Sequence, residues 1–209
     1  MYSKNNSSQE KPKFYSGHRN RKSHDEIKIN NEDFNQKLND QNQINILDIG
    51  FGSGESIVTQ DFKQYNIFGI ESYSRGIRKM NKYKNQMNIK NLFLFHGDAV
   101  EIIEKVIPKK SINVINIFFP DPWPKKKHIK RRLISQNFLH LLDQKISKKG
   151  KIEIITDSKI YQDHIEEVLD EQKIFKQIDS FEISYEVSTF HRKALKKGHE
   201  VKRYVLTKI

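Results

Sequence analysis

The sequence predicts an α/β protein built on a Rossmann-like sheet. The sheet is expected to be mostly parallel, with an antiparallel C-terminal edge and helices on both faces. Three observations carry that expectation. From Ile44 onward, short β-branched and apolar runs alternate with segments of helical spacing. The first run ends in a glycine-rich turn, Gly50-Phe51-Gly52-Ser53-Gly54. Acidic residues then recur where successive runs end, at Asp48, Glu71, Asp98, Asp121 and Asp157. Parallel strands need a crossover, usually a helix, so alternation of this kind reads as βαβ units.

The elements follow in order. Residues 1–42 are polar, rich in Asn, Ser and Lys, and aperiodic, so they read as a flexible basic arm ahead of a domain spanning 43–209. Within the arm, Lys11, Lys13, Arg19, Arg21 and Lys22 accompany Phe14 and Tyr15 without an acid. That stretch suits either a segment that folds onto RNA or a solvating tail. Strands are expected at 44–49, 66–71, 91–96, 112–119 and 151–156. Helices are expected at 55–62, 74–87, 99–106, 129–145 and 159–171. Two late strands, 175–187 and 201–209, flank a basic loop at 188–200 and would form the antiparallel edge.

Composition narrows the function. With 209 residues the chain is one domain plus a tail. The absence of cysteine excludes disulfides, thiol catalysis and cysteine-ligated zinc. No apolar run approaches the ~20 residues needed to cross a bilayer, and no signal-like stretch opens the chain, so a cytoplasmic protein without membrane contact is expected. The eight histidines show no metal-site spacing, and no metal is expected. A net charge of +12 and a pI of about 9.6 favour a polyanionic partner. Lysine-rich composition from an AT-rich genome accounts for part of that charge; its clustering carries more weight.

The glycine turn lacks the third glycine of a nicotinamide fingerprint, because Glu55 stands there. An acid at that point repels a pyrophosphate at the helix N-terminus. Gly50 and Gly52 let the backbone approach a ligand closely, and Asp48 suits a cationic one. Glu71, at the end of the second run, is placed to accept hydrogen bonds from ribose hydroxyls. Asp98 is placed either to meet an adenine amino group or to cap the next helix. Together these acids fit S-adenosylmethionine, which bears a ribose, an adenine, an ammonium and a sulfonium but no phosphate.

The fourth run ends in Phe119-Pro120-Asp121-Pro122-Trp123-Pro124. Three prolines restrict φ and stiffen the turn that presents Asp121. Lys125, Lys126, Lys127, His128, Lys130, Arg131 and Arg132 follow directly and read as a phosphate-seeking surface at the N-terminus of the 129–145 helix. Asp157 ends the fifth run at the same edge.

In these motifs the chain resembles the bacterial tRNA (guanine-N7-)-methyltransferases, enzymes of the class I methyltransferase fold that modify a variable-loop guanine, position 46, with S-adenosylmethionine. The resemblance runs from about Ile44 to the C-terminus. Its most selective element is Phe119-Pro120-Asp121-Pro122-Trp123-Pro124-Lys125-Lys126. It implies that Asp48, Glu71, Asp98 and Asp121 contact the methyl donor. It also implies that Lys125, Asp157 and the segment Ser188, Thr189, Phe190 and His191 recognise the substrate. Relatives usually carry an acid where His191 stands. Asp121 is expected to act as an orienting and electrostatic group. Lys126, Lys127, Lys130, Arg131 and Arg132 are expected to contact tRNA phosphates, and the protein to be a monomer or homodimer. A methyltransferase for another RNA or a protein, and a non-catalytic RNA-binding module, are the competing readings.

Overall fold

A computed structural model describes residues 31–40, 42–179 and 189–209. Seven strands form one sheet: β1 (Ile44–Ile49), β2 (Tyr65–Glu71), β3 (Leu92–His96), β4 (Ile112–Phe118), β5 (Ile146–Thr156), β6 (Phe175–Ile178) and β7 (Lys202–Lys208). Their spatial order is β3-β2-β1-β4-β5-β7-β6. The first five are parallel, and β7 runs antiparallel to both β5 and β6. The expected sheet is therefore present, antiparallel edge included; of the strand expected at 175–187, β6 covers 175–178, and 180–187 lie outside the described residues.

The order reverses at β1, which pairs with β2 on one side and β4 on the other. In open α/β sheets such a switch point opens a crevice beyond the carboxyl ends of the strands, because the flanking crossovers leave in opposite directions. The sequence places its acids at that edge.

The helices are α1 (Asn31–Leu38), α2 (Glu55–Val58), α3 (Ser74–Gln86), α4 (Ala99–Lys105), α5 (Gln136–Lys145), α6 (Lys159–Glu171) and α7 (Thr189–Lys196). Strand side chains alternate between faces, and β2 shows the result. Phe68 and Ile70 join a large core with Ile102 and Ile103 of α4, Phe138 and Leu142 of α5, and Tyr161 and Ile165 of α6. Ile67 belongs to a second cluster with Ile57 of α2 and Met80 of α3.

Several elements differ from expectation. Residues 31–38, assigned from sequence to the arm, form α1, whose Phe34 and Leu38 are buried in the large core. Phe34 meets the rings of Phe68, Phe93 and Phe95 edge-on. An i, i+4 apolar pair in a polar stretch is too sparse to show as periodicity, yet it anchors one helical face. The Lys11–Lys22 stretch lies outside the described residues. The single helix expected at 129–145 is broken. A 3₁₀ turn (Lys126–Arg131) comes first, Arg132 is extended, and Ser135 caps α5 by accepting from the Phe138 amide at 3.3 Å. Helix α2 covers only four residues of the expected 55–62. The basic segment at 188–200, expected as a loop, contains helix α7.

Candidate active site

A cleft of about 260 Å³ opens at the carboxyl edge of the sheet. Four strand ends line it: Ile49 and Gly50 after β1, Glu71 and Ser72 after β2, Gly97 and Asp98 after β3, and Phe119 to Asp121 after β4. Trp123, Arg131 and Leu133 complete the wall. Glu71, Asp98 and Asp121, far apart in sequence, thus face one space. Asp48 lines an adjoining hollow with Gly52, Ser53 and Ser56, and the two spaces share Gly50, Phe118 and Phe119.

The glycine turn is held from behind. Gly50 and Gly52 adopt φ of +74° and +56°, a region costly for residues with a Cβ. Glu71 fixes the turn by accepting from the Gly52 amide at 2.7 Å, and its other oxygen accepts from the Tyr73 amide at 2.7 Å. Gly76 of α3 packs so closely that a Cβ there would lie 2.2 Å from the Gly52 carbonyl oxygen.

Asp48 is buried, and desolvation raises its carboxyl from 3.8 to about 7. The Ser56 hydroxyl, donating at 2.6 Å, opposes that rise, while the Glu71 charge adds to it. Asn116, its register partner on β4, is also buried, and its amide oxygen has no hydrogen-bond partner among the described residues. Of the two, Asp48 lines the hollow, and a buried acid there suits a cationic group such as an ammonium. Asp98 caps α4, accepting from the Glu101 amide at 3.0 Å, and partial burial raises its carboxyl. The two readings of Asp98 are compatible, since the capping residue also lines the cleft. Asp121 is exposed at the rim, and its carboxyl is raised by partial desolvation and by the Glu71 charge.

The turn carrying Asp121 is strained. Phe119 and Trp123 adopt φ of +50° and +43°, unusual for bulky residues and worth about 1–3 kcal/mol each. The Phe119 amide donates to the Ile155 carbonyl at 2.7 Å, tying the turn to β5. The Arg131 guanidinium lies 4.9 Å above the Trp123 ring, and the His128 ring meets that tryptophan edge-on.

Beyond the Asp121 turn, Lys125, Lys126, Lys127, Lys130 and Arg131 are exposed. Arg132 is not. It is buried, donates from Nε to the Pro122 carbonyl at 3.0 Å, and lies over the Tyr161 ring. The expected phosphate contact at Arg132 is therefore corrected: it braces the Asp121 turn from inside, because the broken helix turns it inward. Asp157 lies outside the cleft wall and accepts from His199 Nδ1 at 2.9 Å. Ser188 lies outside the described residues. Thr189 and Phe190 open α7, and the His191 ring sits 5.9 Å from Phe119, which brings α7 to the edge of the cleft.

Residues 42–204 match a family described as "Putative methyltransferase". The chain is 36% identical over 164 residues to a tRNA (guanine-N(7)-)-methyltransferase of Buchnera aphidicola, covering 75% of this chain and 69% of that protein. It is 34% identical over 186 residues to the enzyme of that name from Wolbachia pipientis, covering 88% and 83%. The chain belongs to the tRNA (guanine-N7-)-methyltransferase family. Among solved structures, an rRNA methylase from Streptococcus thermophilus shares the fold at a TM-score of 0.53 with 13% identity, covering 80% of this chain and 88% of that one.

Sequence reasoning missed four residues in or beside this site. Ser56 is one, since a serine in a short helix carries no signal. Gly76 is legible only once its approach to Gly52 is known. His199 lies 42 residues from Asp157. Asn116 looks like an interruption in an apolar strand, and such a polar residue in a buried run was the one available clue.

Proposed function

We propose that the chain transfers a methyl group from S-adenosylmethionine to N7 of the variable-loop guanine, position 46, of tRNA in the cytoplasm. The observation that carries this reading is the convergence of Glu71, Asp98 and Asp121 on one cleft, beside the rigid Asp121 turn and its cationic rim. When bound, S-adenosylmethionine supplies an electrophilic methyl group. Asp48 would accept from its ammonium, Glu71 from its ribose hydroxyls, and Asp98 from its adenine amine. The Gly50–Gly52 backbone would lie against it.

Guanine N7 has a lone pair and no proton, so no residue needs to act as a base. The work of the chain is to orient the base, a factor that contributes roughly 7–11 kcal/mol in well-aligned reactions. Positive charge builds on the base during transfer, and a fixed Asp121 carboxylate stabilises it. Asp157 and Lys125 recognise the base and its strand. The variable-loop guanine is held in tertiary contacts, and exposing it costs a few kcal/mol. Contacts from Lys125, Lys126, Lys127, Lys130 and Arg131 offset that cost.

The test is incubation of the protein with labelled donor and total tRNA, followed by nucleoside analysis. 7-Methylguanosine at position 46 is the expected product. Label in another nucleoside, or in protein, selects a different substrate. Absence of donor binding in titration calorimetry favours the non-catalytic module.

A further inference from the structure

Helix α3 carries Arg75, Arg78, Lys79, Lys82 and Lys84 and not one acid. Arg75, Arg78, Lys79 and Lys82 are exposed and recur at i, i+3, i+4 and i+7, which puts them on one face. The opposite face buries Gly76 and Met80 against the glycine turn and the smaller core. In α4 and α6, by contrast, an exposed cation pairs with an acid one turn away, as Lys105 does with Glu101 and Lys159 with Asp163. These four exposed cations form no ion pair among the described residues. Like charges at this spacing weaken a helix, so stability alone does not select the arrangement. Lysine far outnumbers arginine in the chain, yet the stripe begins with two arginines, whose planar forks suit phosphate oxygens.

Position gives the stripe its meaning. α3 starts directly after Glu71 and Ser72, which line the donor cleft, and exposed Tyr73 stands between. It follows β2, whereas the Lys125–Arg131 rim follows β4, and β1 lies between those strands. The two cationic surfaces therefore flank the cleft from opposite sides.

We propose that the Arg75, Arg78, Lys79 and Lys82 face of α3 is a second contact surface for the RNA sugar-phosphate backbone, so that the substrate straddles the donor cleft. The proposal rests on the tRNA reading given above. It adds a surface that the run at 125–132 does not include.

The test is the triple variant Arg75→Gln, Arg78→Gln, Lys82→Gln, in which three exposed helical cations become neutral good helix formers. Dissociation constants for tRNA are measured across a range of salt, together with donor affinity and methyl transfer at saturating tRNA. The expected result is an affinity for tRNA about tenfold weaker. The slope of log K against log salt should be shallower by ~2, as for loss of two to three phosphate contacts. Donor affinity and the saturated rate should not change. Adding Lys126→Gln and Lys130→Gln should flatten the slope further and additively. An unchanged affinity and slope in the triple variant overturns the α3 surface, whatever the wild type methylates. A wild type that produces no 7-methylguanosine sinks the functional reading instead, and the binding comparison still judges the α3 surface.

Discussion

The Ser56 hydroxyl donates to the buried Asp48 carboxylate at 2.6 Å, across the mouth of the glycine turn. That bond is the main force opposing protonation of Asp48, which burial has already raised to about 7. Ser56→Ala is predicted to raise Asp48 further, leaving less of it ionised for a cationic ligand. Affinity for S-adenosylmethionine at pH 7 should fall about tenfold, the worth of one charge-assisted hydrogen bond. Most of that loss should be recovered at pH 8.5. Calorimetry across pH decides it; a pH-independent deficit rules out this role for Ser56.

Asp48 also sets a stability trend. Below about pH 4 the carboxyl is protonated in both folded and unfolded chains. Between about 4 and 7 only the folded chain keeps its proton, so this group's contribution to stability is lost as pH rises through that window. Asp48→Asn is predicted to remove the loss. The ligand-free variant should be more stable than wild type at pH 8, by at most roughly 4 kcal/mol, and its donor affinity should be lower. Urea unfolding at pH 5 and pH 8 measures the difference. Equal wild-type-to-variant gaps at both pH values count against it.

Asp121→Asn keeps the shape of the strained turn and removes its charge. The saturated rate of methyl transfer should drop about a hundredfold, with tRNA affinity close to wild type. Single-turnover kinetics with preformed complex makes the measurement. A rate within a few-fold of wild type refutes an electrostatic role.

The sheet was legible because each β-branched run is bounded by turn chemistry and each crossover is long enough to bury one face. The acids at the strand ends were legible for the same reason: topology places every parallel strand's carboxyl end on one edge. What escaped was set by distance or by single contacts. Phe34 and Leu38 are two apolar residues in a polar stretch, and their burial depends on Phe68 and Phe93, which lie far along the chain. Arg132 reads as one more cation in a basic run. Only the break between the 3₁₀ turn and α5 turns it toward Tyr161. The apolar spacing of 129–145 fits a continuous helix, and the cap at Ser135 that begins α5 looks ordinary in sequence.

The reassignment of Arg132 gives a prediction that separates it from its neighbours. Arg132→Met should destabilise the fold by about 2 kcal/mol, because the Pro122 carbonyl loses its charged donor. The salt slope of tRNA binding should stay at its wild-type value. Lys126→Gln or Lys130→Gln should do the reverse, flattening the slope by ~0.7–0.9 each with little effect on unfolding. A flattened slope in the Arg132 variant restores it to the phosphate surface.

Gly76→Ala tests the packing behind the glycine turn. Its Cβ would meet the Gly52 carbonyl oxygen at 2.2 Å and Glu71 Cγ at 3.3 Å. Neither can move without disturbing the Glu71 bond to the Gly52 amide. Stability should fall by about 1–3 kcal/mol, and donor affinity should fall with it. Wild-type calorimetric affinity in this variant means that the turn adapts, and that its geometry is not what holds the ligand.

His199 and Asp157 give the remaining test. The ring nitrogen of His199 fixes a carboxylate expected to recognise the guanine, although the pair lies beside the cleft and not in its wall. A carboxylate held in one orientation can discriminate a donor pattern such as guanine N1–H and its amine; a rotating one discriminates less. His199→Ala should lower kcat/KM for tRNA about tenfold, mostly through KM, with donor affinity unchanged. His199→Asn, whose amide can donate from nearly the same position as Nδ1, should recover most of the loss. Failure of asparagine to rescue, with both variants folded, shows that His199 acts through something other than its bond to Asp157. A joint variant with Asp157→Ala then decides which: if losing His199 costs nothing further once the carboxylate is gone, the two residues work as one unit.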